Sequence, residues 1–153
     1  MTKTSAPSGI EAIIDALGVE VEKPIRMPLL HPETQLPLVD AESGEPAYFD
    51  VLNPNSPQIQ AEEKARSRAR GKPPTNETQD QKDAREEKAF FERLSTMIRG
   101  WNLVTLEGKK IDVPFSAENA LAVLQAPSLY PYRNQLMQFA SETANFLRNK
   151  PSA

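Results

Sequence analysis

The chain has no cysteine, which excludes disulfides and thiolate metal sites. Its single histidine, His31, leaves no choice of histidine for a catalytic triad and no histidine-rich metal centre. No stretch approaches the roughly 20 apolar residues of a membrane-spanning helix. The opening Met1-Thr-Lys-Thr-Ser-Ala-Pro-Ser8 has no apolar signal core, so a cytosolic protein is expected. The glycosylation pattern Asn76-Glu-Thr78 is then without consequence. A charge imbalance is also lacking: the formal net charge of −3 over 153 residues sets up no field that argues for nucleic acid or membrane.

Proline, by contrast, is plentiful. Eight of the 14 prolines precede residue 58, so the first third is read as extended and turn-rich and the remainder as helical. This predicts an α+β protein: a small N-terminal antiparallel meander over 24–56, then a helical subdomain of about four helices. The expected divisions are a segment 1–23 with a short docking helix, the meander, a charged helical arm or linker over 57–88, and a helical core over 89–150.

Residues 1–7 are expected to be disordered. Ser8-Gly-Ile-Glu11 reads as a capping box, and Ile10, Ile13, Ile14 and Leu17 follow at helical spacing, with Gly18 able to close the helix. About nine residues are too few for a helix alone in water. These four side chains therefore dock either on their own core or in a groove on a neighbouring copy or partner. They are the candidate self-association residues.

In the meander, Ile25–Leu30, Leu36–Val39 and Ala47–Leu52 are predicted strands, with Pro24 and Pro28 marking an edge. His31, before a proline, is read as a turn residue. Asp40, Glu42 and Glu45 crowd one turn without calcium-loop spacing. Ser56-Pro57 starts a polar helix running to Arg70. Its Lys64, Arg66, Arg68 and Arg70, with Lys72 beyond, are scattered around the helix by their spacing, so a solvated face is expected rather than a nucleic-acid patch. Gly71-Lys-Pro-Pro-Thr75 lacks the spacing and backbone donors of a phosphate loop.

A charged segment from Asn76 becomes amphipathic after Lys88. Phe90, Phe91, Leu94, Met97, Ile98 and Trp101 then share an arc of roughly 120° at the helical period. This predicts one helix ending near Gly100. Leu103–Leu106 and Lys110–Val113 flank a tight turn at Glu107-Gly108-Lys109. Ser116 caps a helix Ala117–Gln125, and Trp101, Phe115 and Leu121 are read as a junction of three helices. The last predicted helix covers 129–149. Its apolar residues span roughly 200°, so it is either packed between two elements or receives a partner on one flank. Tyr130, Met137, Phe139 and Phe146 are the candidate client-binding residues. The neighbouring pairs Glu62-Glu63 and Glu86-Glu87 lie on polar surfaces that offer no burial to tune a catalytic acid. The chain is read as non-enzymatic, with no cofactor and no metal.

The stretch Gly100-Trp-Asn-Leu-Val-Thr-Leu-Glu-Gly108, then Val113-Pro-Phe-Ser-Ala-Glu-Asn-Ala120, a proline break and the ending Ala144-Asn-Phe-Leu147 resembles the tail assembly chaperones of long-tailed bacteriophages. His31-Pro-Glu-Thr34 and Val51-Leu-Asn-Pro-Asn-Ser56 resemble the small sheet that precedes those helices. The resemblance rests on Trp101, Gly108, Phe115, Ser116 and Asn119, covers roughly 24–57 and 88–148, and leaves out 8–18 and 58–87. It implies a non-enzymatic factor that binds the tape measure protein, keeps it soluble, helps tail tube protein polymerise around it, and then leaves. The implied location is the cytoplasm of the infected bacterial host, not the mature virion. A structural tail or connector component is the alternative, followed by a nucleic-acid-binding regulator.

Overall fold

A computed structural model describes residues 9–148. The expected contribution of Ser8 to a capping box, the disorder of residues 1–7 and the helix end at Asn149 lie outside these residues. Within them, five α-helices combine with one four-stranded antiparallel sheet, an α+β architecture.

Helix α1 (Gly9–Leu17) precedes strands β1 (Ile25–Pro28) and β2 (Tyr48–Val51). Leu30 bridges Pro37 and Val39 bridges Pro46, so the predicted middle strand survives as isolated bridges. The acidic turn is closed by Asp40, whose carboxylate accepts the Glu42 N–H at 3.0 Å and the Ser43 hydroxyl at 2.8 Å. His31 is the turn residue it was expected to be, its Nδ1 accepting the Glu33 N–H at 3.1 Å.

Helices α2 (Pro57–Arg70) and α3 (Gln79–Thr96) are inserted between β2 and the third strand. Ser56 caps α2 through the Gln58 N–H, with proline at the first helical position. Thr78 and Gln81 form a reciprocal capping box that starts α3. Ion pairs tie the two helices to each other and to the sheet: Arg70 reaches Glu92, and Arg99 reaches Glu62 at 3.0 Å.

The predicted helix end at Gly100 is corrected. Helix α3 stops at Thr96, and Ile98–Val104 is strand β3, with Trp101 in the sheet instead of at a junction of helices. It pairs with β2 through Phe49–Trp101 and Tyr48–Asn102, with an irregularity between Asp50 and Val51. Met97, Ile98 and Trp101 suit either period, and the exposed backbone edge of β2 decides in favour of the strand because its N–H and C=O groups need partners. Gly100 does not cap a helix. It lets Asp50 approach: a Cβ there would lie 2.9 Å from Asp50 Oδ2.

The predicted turn at 107–109 joins β3 to β4 (Lys110–Ile111). Met27, Phe49 and Trp101 stand in register on one face of the sheet. The opposite face is polar, with the Arg26 guanidinium 3.7 Å over the Tyr48 ring and 3.4 Å from Asp50. Helix α4 (Ala117–Gln125) has its predicted bounds and its Ser116 cap, which accepts the Asn119 N–H at 3.0 Å.

A 3-10 turn, Pro127–Leu129, leads into α5 (Tyr130–Ser141). The predicted helix over 129–149 is thus cut short. Glu142 is extended, a 3-10 turn follows at Thr143–Phe146, and Phe146 folds back edge-on to Phe139 at 5.6 Å. Asn145 Nδ2 donates to the Phe139 carbonyl at 3.0 Å, occupying a helix-terminal acceptor. Leu124, Leu136 and Phe146 join Phe49, Val51 and Leu94 in one buried cluster, so sheet and helices share a core.

Candidate interaction site

The residues of the resemblance meet at the end of the sheet. Trp101 lies 6.1 Å from Phe49 and meets Phe115 edge-on at 5.4 Å, while its indole N–H donates to the Val113 carbonyl at 2.9 Å. These contacts hold the segment after β4 against the sheet and bring Ser116 into place as the cap of α4. Asn119 adds a bond from Nδ2 to the Pro114 carbonyl at 3.0 Å. Gly108 has φ +91°, and a Cβ on it would lie 3.2 Å from the Val39 carbonyl. Its own carbonyl accepts the Ala41 N–H at 2.8 Å. The turn therefore needs glycine both for its left-handed backbone and for its close approach to residues 39–41.

This framework shapes an open apolar groove of about 490 Å³. Leu29, Leu38, Phe49 and Val104 contribute buried floor, and Leu106, Ile111, Val123, Leu129, Pro131 and Tyr132 line the sides. Burial raises the pKa of the Tyr132 phenol above its ordinary value. A second recess of about 280 Å³ shares Leu38, Thr105, Leu106 and Glu107 with the groove, and Leu36 and Val39 extend the apolar surface there. Leu106 is 50% exposed at the common rim. An apolar residue just before a Glu-Gly turn was the available sequence signal for it. Leu129, Val123 and Ile111 carried no such signal, since each could equally have been ordinary core.

The candidate client-binding residues do not form one surface. Tyr130 and Met137 are exposed and lie seven residues apart on the same face of α5. Phe139 is half-buried against the core, and Phe146 is 1% exposed. Phe146 is thus a core residue and is removed from the contact set. The four self-association candidates behave differently. Ile10, Ile13, Ile14 and Leu17 are between 46% and 74% exposed, and no residue of α1 is buried.

Of the basic residues around α2, Arg66 and Arg70 are engaged with Glu63, and Arg70 also with Glu92. Glu62 and Glu63 are both occupied by arginine. Among the described residues no three histidine, aspartate or glutamate side chains are grouped as metal ligands, and no helix is long and apolar enough to cross a membrane. The arrangement offers an apolar docking surface and an uncovered apolar helix. Comparisons with protein families, with curated proteins and with solved structures return no match to this chain.

Proposed function

We propose that this chain is a tail assembly chaperone of a long-tailed bacteriophage, a non-enzymatic protein that shields apolar helical segments of the tape measure protein. The observation that carries this reading is the open groove between the β3–β4 turn and the start of α5. An amphipathic helix presents apolar residues at i, i+3, i+4 and i+7, and such a groove gives them a temporary substitute for burial. The residues of the resemblance support the same reading by their position. Gly108 sets the turn that carries Leu106, while Trp101, Ser116 and Asn119 place the helix that supplies Val123. Tail tube subunits polymerising around the tape measure protein would displace the chaperone in the host cytoplasm, leaving it out of the particle.

Co-expression with the tape measure protein tests this. The client is expected to become soluble and to co-purify with the wild-type chain. Leu106→Asp, which places a charge at the exposed rim, is expected to lower its recovery. A client that stays insoluble beside the wild-type chain contradicts the proposal. Stoichiometric presence of the chain in purified mature particles assigns it to the tail structure instead.

A further inference from the structure

We infer that the groove selects a basic helix: its occupant is an amphipathic segment whose apolar stripe is flanked by lysine or arginine. This deepens the reading of the groove as the client site, on which it rests, by naming the charge that the client segment carries.

The groove has one charged residue in its lining, Glu107. The smaller recess shares it and adds only His31, whose Nδ1 accepts the Glu33 N–H and so carries no proton. The apolar surface formed by the two recesses therefore has a single carboxylate, at the part they share. Glu107 is exposed and forms no ion pair with another described residue.

The walls add charge of the same sign. From Met27 to Glu63 the chain has no lysine or arginine. Glu33 is exposed between Pro32, which lines the groove, and Thr34, which lines the smaller recess. Glu42 and Glu45 are exposed on the turn that bonds to the Gly108 carbonyl through the Ala41 N–H.

Basic side chains around the groove are engaged elsewhere. The Asp40 carboxyl is held below its ordinary pKa by the Glu42 N–H above all, then by the Ser43 hydroxyl, against an opposing contribution from burial, and the charge of Lys110 adds to this. Lys110 thus acts on Asp40. Arg133, at the start of α5, lies 5.3 Å over the Phe91 ring and donates to the Leu124 carbonyl at 3.2 Å. Lys109 remains, against Glu33, Glu42, Glu45 and Glu107.

Leu106 and Glu107 line the groove side by side. On a helix, residues three or four apart are neighbours, about 5–6 Å from each other. An apolar client residue packed on Leu106 therefore brings a lysine one turn away within reach of Glu107. An acidic flank in the same place meets Glu107 and the acidic walls with repulsion, so the rim rejects wrong segments as well as attracting right ones.

Two synthetic peptides of about 18 residues test this on the full chain by fluorescence anisotropy. They share one leucine stripe at i, i+3, i+4 and i+7, flanked by lysine in one and by glutamate in the other. The lysine peptide is expected to bind more tightly, and less so as salt rises. Glu107→Lys is expected to weaken it roughly three- to tenfold. Glu86→Lys makes the same change of charge on an exposed position of α3, outside both recesses, and is expected to weaken it less than about twofold. Circular dichroism checks that both variants fold, and Glu107→Gln replaces Glu107→Lys should that variant fail to do so. A glutamate peptide that binds as tightly as the lysine one overturns the inference, as do equal effects of Glu107→Lys and Glu86→Lys. Co-expression with the tape measure protein separates this from the chaperone reading. Recovery that falls with Leu106→Asp but is unchanged by Glu107→Lys supports the chaperone and overturns the charge selection. A client that stays insoluble beside a wild-type chain that still prefers the lysine peptide does the reverse.

Discussion

The Gln135 side chain completes the hydrogen bonding of Leu30: Oε1 accepts the Leu30 N–H at 2.9 Å and Nε2 donates to the Leu30 carbonyl at 2.9 Å. One amide on α5 thus stands where a neighbouring strand's peptide group would stand, beyond the last residues of β1. The edge itself is blunted by Pro28, which has no N–H to offer. Gln135→Ala leaves both partly buried Leu30 groups without this partner. It is expected to cost about 1–3 kcal/mol in denaturant unfolding, because unmade bonds to partly buried groups cost more than such bonds contribute on average.

Phe146 and Met137 should respond oppositely to truncation. Phe146 is buried against Phe139 and lies beside the backbone bond that holds Glu20. Phe146→Ala is expected to destabilise by about 3–5 kcal/mol. Met137→Ala, on an exposed face, is expected to stay within about 0.5 kcal/mol of wild type. Thermal melts of the two variants compare a core position directly with a surface one.

Gly108 and Gly44 separate two kinds of cost. Both have positive φ, but a Cβ at Gly44 meets nothing within 4 Å whereas one at Gly108 presses on the Val39 carbonyl. Alanine at Gly44 is expected to cost about 1–2 kcal/mol for the left-handed backbone alone. Alanine at Gly108 should cost more and loosen the turn that carries Leu106. Equal unfolding midpoints for the two variants would show that the contact with residues 39–41 contributes nothing.

Glu20 links stability to pH. Its carboxylate accepts the Glu22 N–H at 2.9 Å and the Lys23 N–H at 3.0 Å, with Arg148 at 3.9 Å. The Glu22 bond above all, then Lys23 and Arg148, holds its pKa below the ordinary glutamate value, against an opposing contribution from burial. Since the folded-state pKa is the lower one, ionised Glu20 favours folding. This contribution is complete above the unfolded glutamate pKa and is lost as pH falls through the folded value. Glu20→Gln should therefore be less stable than wild type near neutrality, and the gap should close on acidification. A gap that stays constant down to about pH 3 contradicts this.

Much of the fold was legible because its signals are local. Ser56-Pro57 and Ser116 place their caps within three residues of the groups they satisfy, and α2 and α4 have their predicted bounds. The turn around Gly108 is equally local, since a positive φ selects glycine wherever it falls. The exposed apolar face of α1 was readable as a periodic pattern, although the pattern could not say whether core or partner would cover it.

What the sequence determined by itself was the α+β composition, the caps and turns, and the absence of thiol chemistry, all of which depend on residue types and short spacings. The tertiary structure decided three further things. Strand β3 forms because β2, some fifty residues earlier, presents unpaired backbone groups that Ile98–Val104 satisfies better as a strand than as a helix. Helix α5 ends at Ser141 because Phe146 gains burial by folding back on Phe139. The groove exists because strand β3 carries the β3–β4 turn alongside the start of α5, a juxtaposition of residues far apart in the chain that no local spacing encodes.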